Sequence, residues 1–303
     1  MKKVGIIGLG TITEYYLAGL KNSEVLELIA VCDSLENPVS KKYFNNYPFY
    51  LDYKQMIKEN RLDYIIISTP PATHFAIAQY ALNNNVNVIV EKPATTNLKD
   101  LEYLYNLAKE KQLLFEVMYH WQNGSEVIEF NKIYDNNKLT KVNTLVLDPY
   151  SDDSININDA KVKLLGAWVD SGVNILSMLK MWFPFKDVKI NNINVNKCEK
   201  TTLPIMAEVE LLIDGVEVEI KVDWQQHQNK KESFVIYEGR KIIIDHSNQT
   251  IIDDKTIIRL DDMLRLQRHY YNYFKNYKEN IDYESSYLIH KVLFEVKNKI
   301  WKN

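Results

Sequence analysis

The chain of 303 residues has two cysteines, Cys32 and Cys198. Cys32 lies in an apolar, strand-like run, where a reduced core thiol fits better than a disulfide or a metal ligand. No apolar run approaches the length needed to span a membrane. There is no dense basic block, and the formal net charge is −3. Nucleic acid and anionic membrane are therefore poor candidates for the main partner. No cluster of histidine, cysteine and carboxylate has metal-ligand spacing. Repeats, linkers and low-complexity tracts are missing as well. Met1-Lys2-Lys3 runs directly into a short strand with glycines, which is too short and too interrupted for a secretion signal. These absences point to a cytoplasmic globular protein. Its composition is 46% hydrophobic and 25% charged, and its length allows two domains with substantial cores.

The first half alternates strands and helices. Residues 4–7, 26–32, 64–67, 86–90 and 113–118 read as buried strands. Helices are expected over 12–20 and 98–111. Thr73 can cap a third, with Phe75, Ile77, Ala78, Ala81 and Leu82 on its apolar side. Strands separated by helices argue for a parallel sheet. After about residue 120 the pattern changes. Helices over 126–134 and 170–182 flank a strand at 140–147 and a polar loop at 148–159. Strands at 188–195, 205–213, 216–222, 233–237 and 241–245 follow. Asp214-Gly215 is a hairpin signal, and Gly239 marks another turn. Leu288, Ile289, Val292, Leu293, Val296 and Ile300 form an apolar helical stripe near the end. The expected fold is α/β: residues 1–119 as a dinucleotide-binding Rossmann domain, then residues 120–303 as an α+β domain with a mostly antiparallel, open sheet. In this division the terminal helix is free to pack back on the first domain.

Gly8 and Gly10 match the first two glycines of G-x-G-x-x-G, between a strand and a helix. The first allows a tight turn, and the second lets the backbone approach a pyrophosphate. Thr13 replaces the third small residue, which predicts looser helix–strand contact. Asp33 ends the second strand, where a carboxylate accepts hydrogen bonds from an adenosine ribose and repels a 2′-phosphate. NAD is favoured over NADP, with NADP left open. Lys92 follows a strand at the carboxyl edge of the sheet, where such sheets bind the reactive part of a ligand. An ammonium there stabilises negative charge on a carbinol oxygen, and the amine form can take a proton.

The segments GIIGLGTI at 5–12, STPPATH at 68–74, EKPAT at 91–95 and GAWVDSGVN at 166–174 resemble one family. It is the glucose–fructose oxidoreductase, inositol dehydrogenase and rhizopine-catabolism (Gfo/Idh/MocA) family. The resemblance implies hydride exchange between a nicotinamide and a sugar-like carbinol, and a C-terminal open sheet that often forms an oligomer interface. A homodimer or homotetramer through that sheet is the expectation, with a small sugar or polyol as substrate. The resemblance adds Thr11, Ile12, Ser68, Thr69, Pro70 and Glu91 to the cofactor-binding set, beside Lys92. His74 belongs to the turn and helix start near the cofactor.

Lys92 matches the family's active-site lysine. Many members carry Asp and then His four residues later; here the pair is Asp170 and Asn174. Spacing of four puts both on one helical face. Asp170 can accept a proton or hold Lys92 charged, whereas Asn174 orients a hydroxyl and cannot act as a base. The pattern is similar to a narrower branch, the aldose 1-dehydrogenases acting on L-arabinose or D-galactose. Met118-Tyr119-His120-Trp121, Asp223-Trp224-Gln225-Gln226 and the tyrosine-rich helix over 270–277 point the same way. On this resemblance His120, Asp148 and Trp224 join Lys92, Asp170 and Asn174 as substrate-binding candidates. Packing in the core is an equally ready reading for His120 and a safer one for Trp224. Trp121 and Trp168 read as core or pocket wall. The branch's Trp-His pair is replaced by Asp153-Ser154, so the reaction type carries over more readily than the sugar. Oxidation of an aldose at C1 to a lactone is the leading expectation. The alternatives are action on an inositol or a nucleotide-sugar, and a non-catalytic NAD-binding regulator of the same fold.

Overall fold

The computed structural model describes residues 1–35, 46–150, 159–261, 263–279 and 282–301. Two compact units emerge. The first holds Met1–Tyr119 and Tyr270–Tyr287; the second holds His120–His269 and the chain from Leu288 onward.

Six strands build one parallel sheet in the first unit. They are β1 (Lys2–Ile7), β2 (Leu26–Cys32), β3 (Phe49–Tyr50), β4 (Tyr64–Ile67), β5 (Asn87–Glu91) and β6 (Phe115–Met118). Their order is β3-β2-β1-β4-β5-β6. All four residues of β4 are buried, as a strand covered on both faces requires. Helices α1 (Thr13–Leu20), α2 (Tyr53–Glu59), α3 (Pro71–Asn83) and α4 (Leu98–Glu110) connect the strands. Strand order reverses between β1 and β4, so the carboxyl ends of these strands open the crevice where such sheets bind ligands.

Three local expectations change in this unit. α3 starts at Pro71, because a fixed φ suits the first helical position. Thr73 therefore lies inside the first turn, where its hydroxyl bonds Pro70 O and Thr69 Oγ1 rather than capping. Thr13 does not loosen its contact: it is fully buried, and its hydroxyl donates to Gly8 O at 3.0 Å. α2, unread in the sequence, is capped by the Asp52 carboxylate, which accepts from the Lys54 N–H at 2.9 Å.

The second unit has an eight-stranded sheet. Its strands are β7 (Leu139–Pro149), β8 (Val188–Lys197), β9 (Pro204–Ile213), β10 (Val216–Asp223), β11 (Gln225–Tyr237), β12 (Arg240–Asp245), β13 (Thr250–Asp253) and β14 (Thr256–Arg259). They run in the order β14-β13-β12-β11-β7-β10-β9-β8, with β7 and β10 parallel and the other neighbours antiparallel. Asp214-Gly215 and Glu238-Gly239 both turn with positive φ at the two residues, the geometry that matches strand twist in a tight hairpin. β11 begins eight residues before the expected 233, because its polar start continues pairing with β7 through a register shift. β13 and β14 were not read at all; their turn is Asp254-Lys255, which carries no glycine.

Helices α5 (Ser125–Ile133) and α6 (Val173–Trp182) belong to this unit. A single π turn, Trp168–Gly172, leads into α6. Asp170 therefore sits on a wider turn than the α-helix expected over 170–182. Gly166 before it has φ +95°, and a Cβ there would lie 2.8 Å from Pro204 O. The chain closes with α7 (Arg265–Lys275) and α8 (Tyr283–Ile300). Among the described residues, no helix is long and apolar enough to cross a membrane.

Placing all of 120–303 in the second domain needs one correction. Tyr270–Tyr287 groups with the first unit, where its tyrosines meet carboxylates. Tyr270 donates to Glu91 at 2.5 Å and Tyr273 to Glu116 at 2.7 Å. The apolar stripe of α8 from 288 on groups with the second unit.

Candidate functional site

In the first unit a cavity of about 490 Å³ opens at the carboxyl ends of β1, β2 and β4. Gly8, Gly10, Asp33, Ser68, Thr69 and Pro70 line it together. Gly8 has φ +99°, and a Cβ on it would lie 2.8 Å from the carbonyl carbon of Ser68 and from Thr69 N. No other residue fits there. Its carbonyl accepts from Ser68 Oγ at 2.8 Å and from Thr13 Oγ1 at 3.0 Å, so the turn is held from two sides. A Cβ on Gly10 would meet nothing within 4 Å; the glycine leaves open approach rather than relieving a clash. Thr11 is exposed and Ile12 is the N-cap of α1, so both sit where helix-start N–H groups favour an anion.

Asp33 is half-buried at the end of β2. Its carboxylate accepts from Leu9 N–H at 2.8 Å and from Leu35 N–H at 3.2 Å. These bonds fix its orientation while leaving lone pairs for a ribose diol. Among the described residues the lining includes no lysine or arginine to meet a 2′-phosphate. The set of glycine backbone, one fixed carboxylate and small or apolar walls fits NAD. Sequence reasoning missed several of those walls, Leu51 and Tyr53 among them. Leu51 is 55% exposed directly after β3. An exposed leucine at the carboxyl end of a strand was the available signal.

His74 and Glu91 prove to be interior supports. His74 is fully buried, with Nδ1 3.0 Å from Pro93 O and Nε2 2.7 Å from Thr69 O. It ties the STPPATH and EKPAT loops together. Burial lowers its pKa, against the opposing pull of the carbonyls. The Glu91 carboxylate does not line the cofactor cavity. It accepts from Tyr16 at 2.8 Å, from Tyr270 at 2.5 Å and from Lys92 N–H at 3.2 Å. Burial raises its pKa, opposed by the Lys92 charge and the tyrosine hydroxyls. Successive residues of a strand point to opposite faces, so Glu91 turns inward while half-buried Lys92 stands at the carboxyl edge of the sheet.

In the second unit Asp170 and Asp148 gather around Lys231 and Tyr150. Lys231 Nζ lies 2.7 Å from Asp148 Oδ1, with both side chains buried. Burial lowers the Lys231 pKa; Asp148 and Asp170 oppose this, and Arg265 adds to it. Burial also raises the Tyr150 pKa, helped by Asp148 and Asp170. Asp148 is thus half of a buried ion pair rather than an open sugar ligand. Lys231, Tyr150 and Arg265 were not read from the sequence. The signal for Lys231 was its phase: it shares the inward period of β11 with Ser233, Val235 and Tyr237.

Asn174 donates through Nδ2 to the backbone carbonyl of Asp170 at 3.3 Å. Its buried Oδ1 has no protein partner among the described residues, so it is an acceptor available to a hydroxyl. Trp224 is fully buried, 5.5 Å from the Tyr150 ring in an edge-on contact. It packs in the core and offers no open face to a sugar. His120 is buried, with Nδ1 3.0 Å from Nδ1 of His269. Trp121 lies 4.9 Å from the His246 ring, and Trp168 donates to Leu293 O at 3.0 Å. The expected Asp153-Ser154 position lies outside the described residues.

Residues 2–119 match the family model described as the oxidoreductase family with NAD-binding Rossmann fold, GFO_IDH_MocA. An inositol 2-dehydrogenase of Salmonella typhimurium is 32% identical over 104 residues, covering 33% of this chain and 31% of that protein. The chain spans about a third of the length of the curated relatives it matches. Solved structures are similar over nearly the whole chain. A dehydrogenase (MviM) from Clostridium difficile has a TM-score of 0.81 at 18% identity, covering 98% of this chain and 99% of its own. UDP-N-acetylglucosamine 3-dehydrogenase GnnA from Acidithiobacillus ferrooxidans has a TM-score of 0.78 at 15% identity, covering 98% and 96%. At these identities the likeness is one of fold: a parallel Rossmann sheet followed by a mostly antiparallel sheet. With the Gly8 turn, the fixed Asp33 and the matched segment in agreement, residues 2–119 are similar to the NAD-binding Rossmann domain of the Gfo/Idh/MocA oxidoreductase family.

Proposed function

We propose that the chain is an NAD-dependent dehydrogenase acting on the carbinol of a sugar, with the anomeric carbon of an aldose as the reacting centre and a lactone as the product. The observation that carries this reading is Lys92. It follows β5 at the carboxyl edge of the same sheet whose crevice is built from Gly8, Gly10 and Asp33. NAD, when bound, supplies the two-electron acceptor. Lys92 holds the carbinol oxygen and stabilises its developing charge. Asp170 accepts the hydroxyl proton or keeps Lys92 charged. Asn174 orients a neighbouring hydroxyl through Oδ1 and exchanges no proton. His120 contributes a further hydrogen bond to the sugar.

A second reading is an inositol or a nucleotide-sugar as substrate. It is favoured by Asp153-Ser154 in place of a sugar-contacting Trp-His pair, and by the identity with an inositol 2-dehydrogenase. Retention of Lys92 with Asp170 speaks against a regulator without turnover. Two buried free thiols suit a reducing cytoplasm. Copies of the chain are proposed to pair through the open sheet face, where Lys141 with Glu219 and Lys221 with Glu208 form ion pairs.

The test is a spectrophotometric screen of aldoses, polyols and nucleotide-sugars with NAD and NADP. NADH formation with an aldose, and recovery of its lactone, supports the first reading. Tight NAD binding with no turnover on any carbinol overturns both enzymatic readings in favour of a regulator.

A further inference from the structure

Glu91 is 8% exposed on the last residue of β5, one position before Lys92. An aliphatic side chain would pack there at lower cost than a carboxylate. Its hydrogen bonds show what the carboxylate does. Oε1 accepts from two hydroxyls, Tyr16 on α1 at 2.8 Å and Tyr270 on α7 at 2.5 Å. Oε2 turns back and accepts from the Lys92 N–H at 3.2 Å. Pro93 follows with no N–H of its own, so the Lys92 N–H is the one donor of that dipeptide. The next carbonyl, Pro93 O, lies 3.0 Å from His74 Nδ1. The backbone around Lys92 is thus held on both flanks.

Tyr16 and Tyr270 are fully buried, and their rings meet edge to face at 4.7 Å. Burial, with the Glu91 charge adding to it, pushes both hydroxyl pKa values well up, so each keeps its proton and donates. Hydrogen bonds to a charged acceptor are the strong ones. Two of them converge on Oε1 and leave Oε2 aimed at the Lys92 N–H.

The approach of the two tyrosines depends on Gly19 in α1. A Cβ there would lie 2.5 Å from Phe274 Cδ2 and 2.8 Å from the Tyr270 carbonyl oxygen. A larger residue would push the Tyr270 backbone away from α1. The same helix begins at Thr13, whose hydroxyl bonds Gly8 O in the glycine turn. Thr13 and Tyr16 are three apart and share one side of the helix. α1 therefore touches the cofactor turn with one residue and the carboxylate beside Lys92 with the other.

We infer that Tyr16 and Tyr270 are positioning residues, which through Glu91 set the backbone of Lys92 and so the place of its ammonium relative to the cofactor turn. The inference rests on the reading of the chain as a carbinol dehydrogenase with Lys92 at the reacting centre.

Tyr16→Phe combined with Tyr270→Phe tests it, since both hydroxyls go and both rings stay. Amide hydrogen exchange at Lys92, resolved to the residue by mass spectrometry of the full chain, reads the N–H bond without any substrate. Steady-state kinetics with L-arabinose, D-galactose and myo-inositol, and a fluorescence titration with NAD, read the function. In the wild type the Lys92 N–H should exchange at least about 10²-fold more slowly than an unstructured amide. In the double variant that protection and kcat should each fall about tenfold or more, with NAD affinity and KM retained. Glu91→Gln is the conservative arm. Its amide oxygen accepts from the Lys92 N–H, and its NH2 donates to hydroxyls that turn to accept. It should keep at least about tenfold more kcat than Glu91→Ala. An unprotected Lys92 N–H in the wild type overturns the inference, and that result needs no variant to fold. So does a double variant in which either the exchange or kcat is unchanged. Glu91→Gln as slow as Glu91→Ala overturns it too, because charge rather than position would then be the function of Glu91. If exchange follows the expectation but the wild type oxidises none of these carbinols, the hold on Lys92 stands and the dehydrogenase reading falls.

Discussion

Glu116 sets a pH dependence of stability that one substitution should erase. It lies in β6, where Tyr273 donates to one carboxylate oxygen at 2.7 Å and Tyr277 to the other at 3.4 Å. Burial raises its pKa to about 7 with help from Glu279, and the two tyrosine bonds oppose the rise without cancelling it. An unfolded glutamate titrates near about 4.3. Between these values the folded chain holds a proton that the unfolded chain has released, so stability falls as pH rises through the window and levels off above it. A gap of roughly two and a half units, at about 1.4 kcal/mol each, amounts to about 3.5 kcal/mol. Glu116→Gln resembles the protonated acid in shape and hydrogen bonding. It should match the wild type at about pH 4 and below and exceed it by about 3.5 kcal/mol near about pH 8. Urea unfolding followed by fluorescence across this range measures both proteins, and their difference isolates the one group. Parallel stability curves would refute the reasoning, because the folded carboxylate would then titrate like an unfolded one.

Lys92→Ala should retain NAD binding and lose about 10²–10⁴-fold in kcat, the range for general acid–base groups. Near-wild-type turnover at saturating sugar would remove Lys92 from the mechanism. Asp33→Ser combined with Ser34→Arg should shift the kcat/KM ratio towards NADP, by removing a repelling carboxylate and supplying a phosphate partner; an unchanged ratio would mean that Asp33 does not face the ribose. Asp170→Asn should move or abolish a limb of the pH–rate profile, whereas Asn174→Ala should lower kcat/KM with the profile's shape kept. The opposite pattern would place the proton path elsewhere.

How much could be read from the sequence varied with the range of the interactions involved. β4 and β5 were visible as short apolar runs between helices, and the Asp214-Gly215 hairpin as a pair of residues that tolerate positive φ. β13 and β14 were hidden because an Asp-Lys turn carries no such mark. Gly8, Gly10 and Asp33 could be found because their spacing is local to one strand–turn–helix. Glu91 was grouped with Lys92 through the resemblance of the EKPAT segment, although strand alternation sends the two side chains to opposite faces. Trp224 was readable as an aromatic packed in a strand, the safer of its two readings, and it is fully buried. His120, Glu126, His246 and His269 form one cluster only in three dimensions. Five of the six histidines are buried, so histidine in this chain marks the interior, which no local pattern announces.

Tyr270–Tyr287 has a consequence for the order in which the chain can fold. The stretch that matches the Rossmann model ends at residue 119, yet Glu91 and Glu116 take hydroxyl donors from residues synthesised 179 and 157 positions later. During translation the nascent Rossmann sheet therefore exists for many seconds, at about 5–20 residues per second, with Glu91 held only by Tyr16 and the Lys92 N–H and with Glu116 lacking its tyrosine donors. The whole second sheet emerges in that interval. The match to the family model ends at 119, but the hydrogen bonds that complete these carboxylates reach Tyr270 and Tyr273. The first unit is finished only when Tyr270–Tyr287 has left the ribosome, so completion of the nucleotide fold serves as a late check that the chain between has been made.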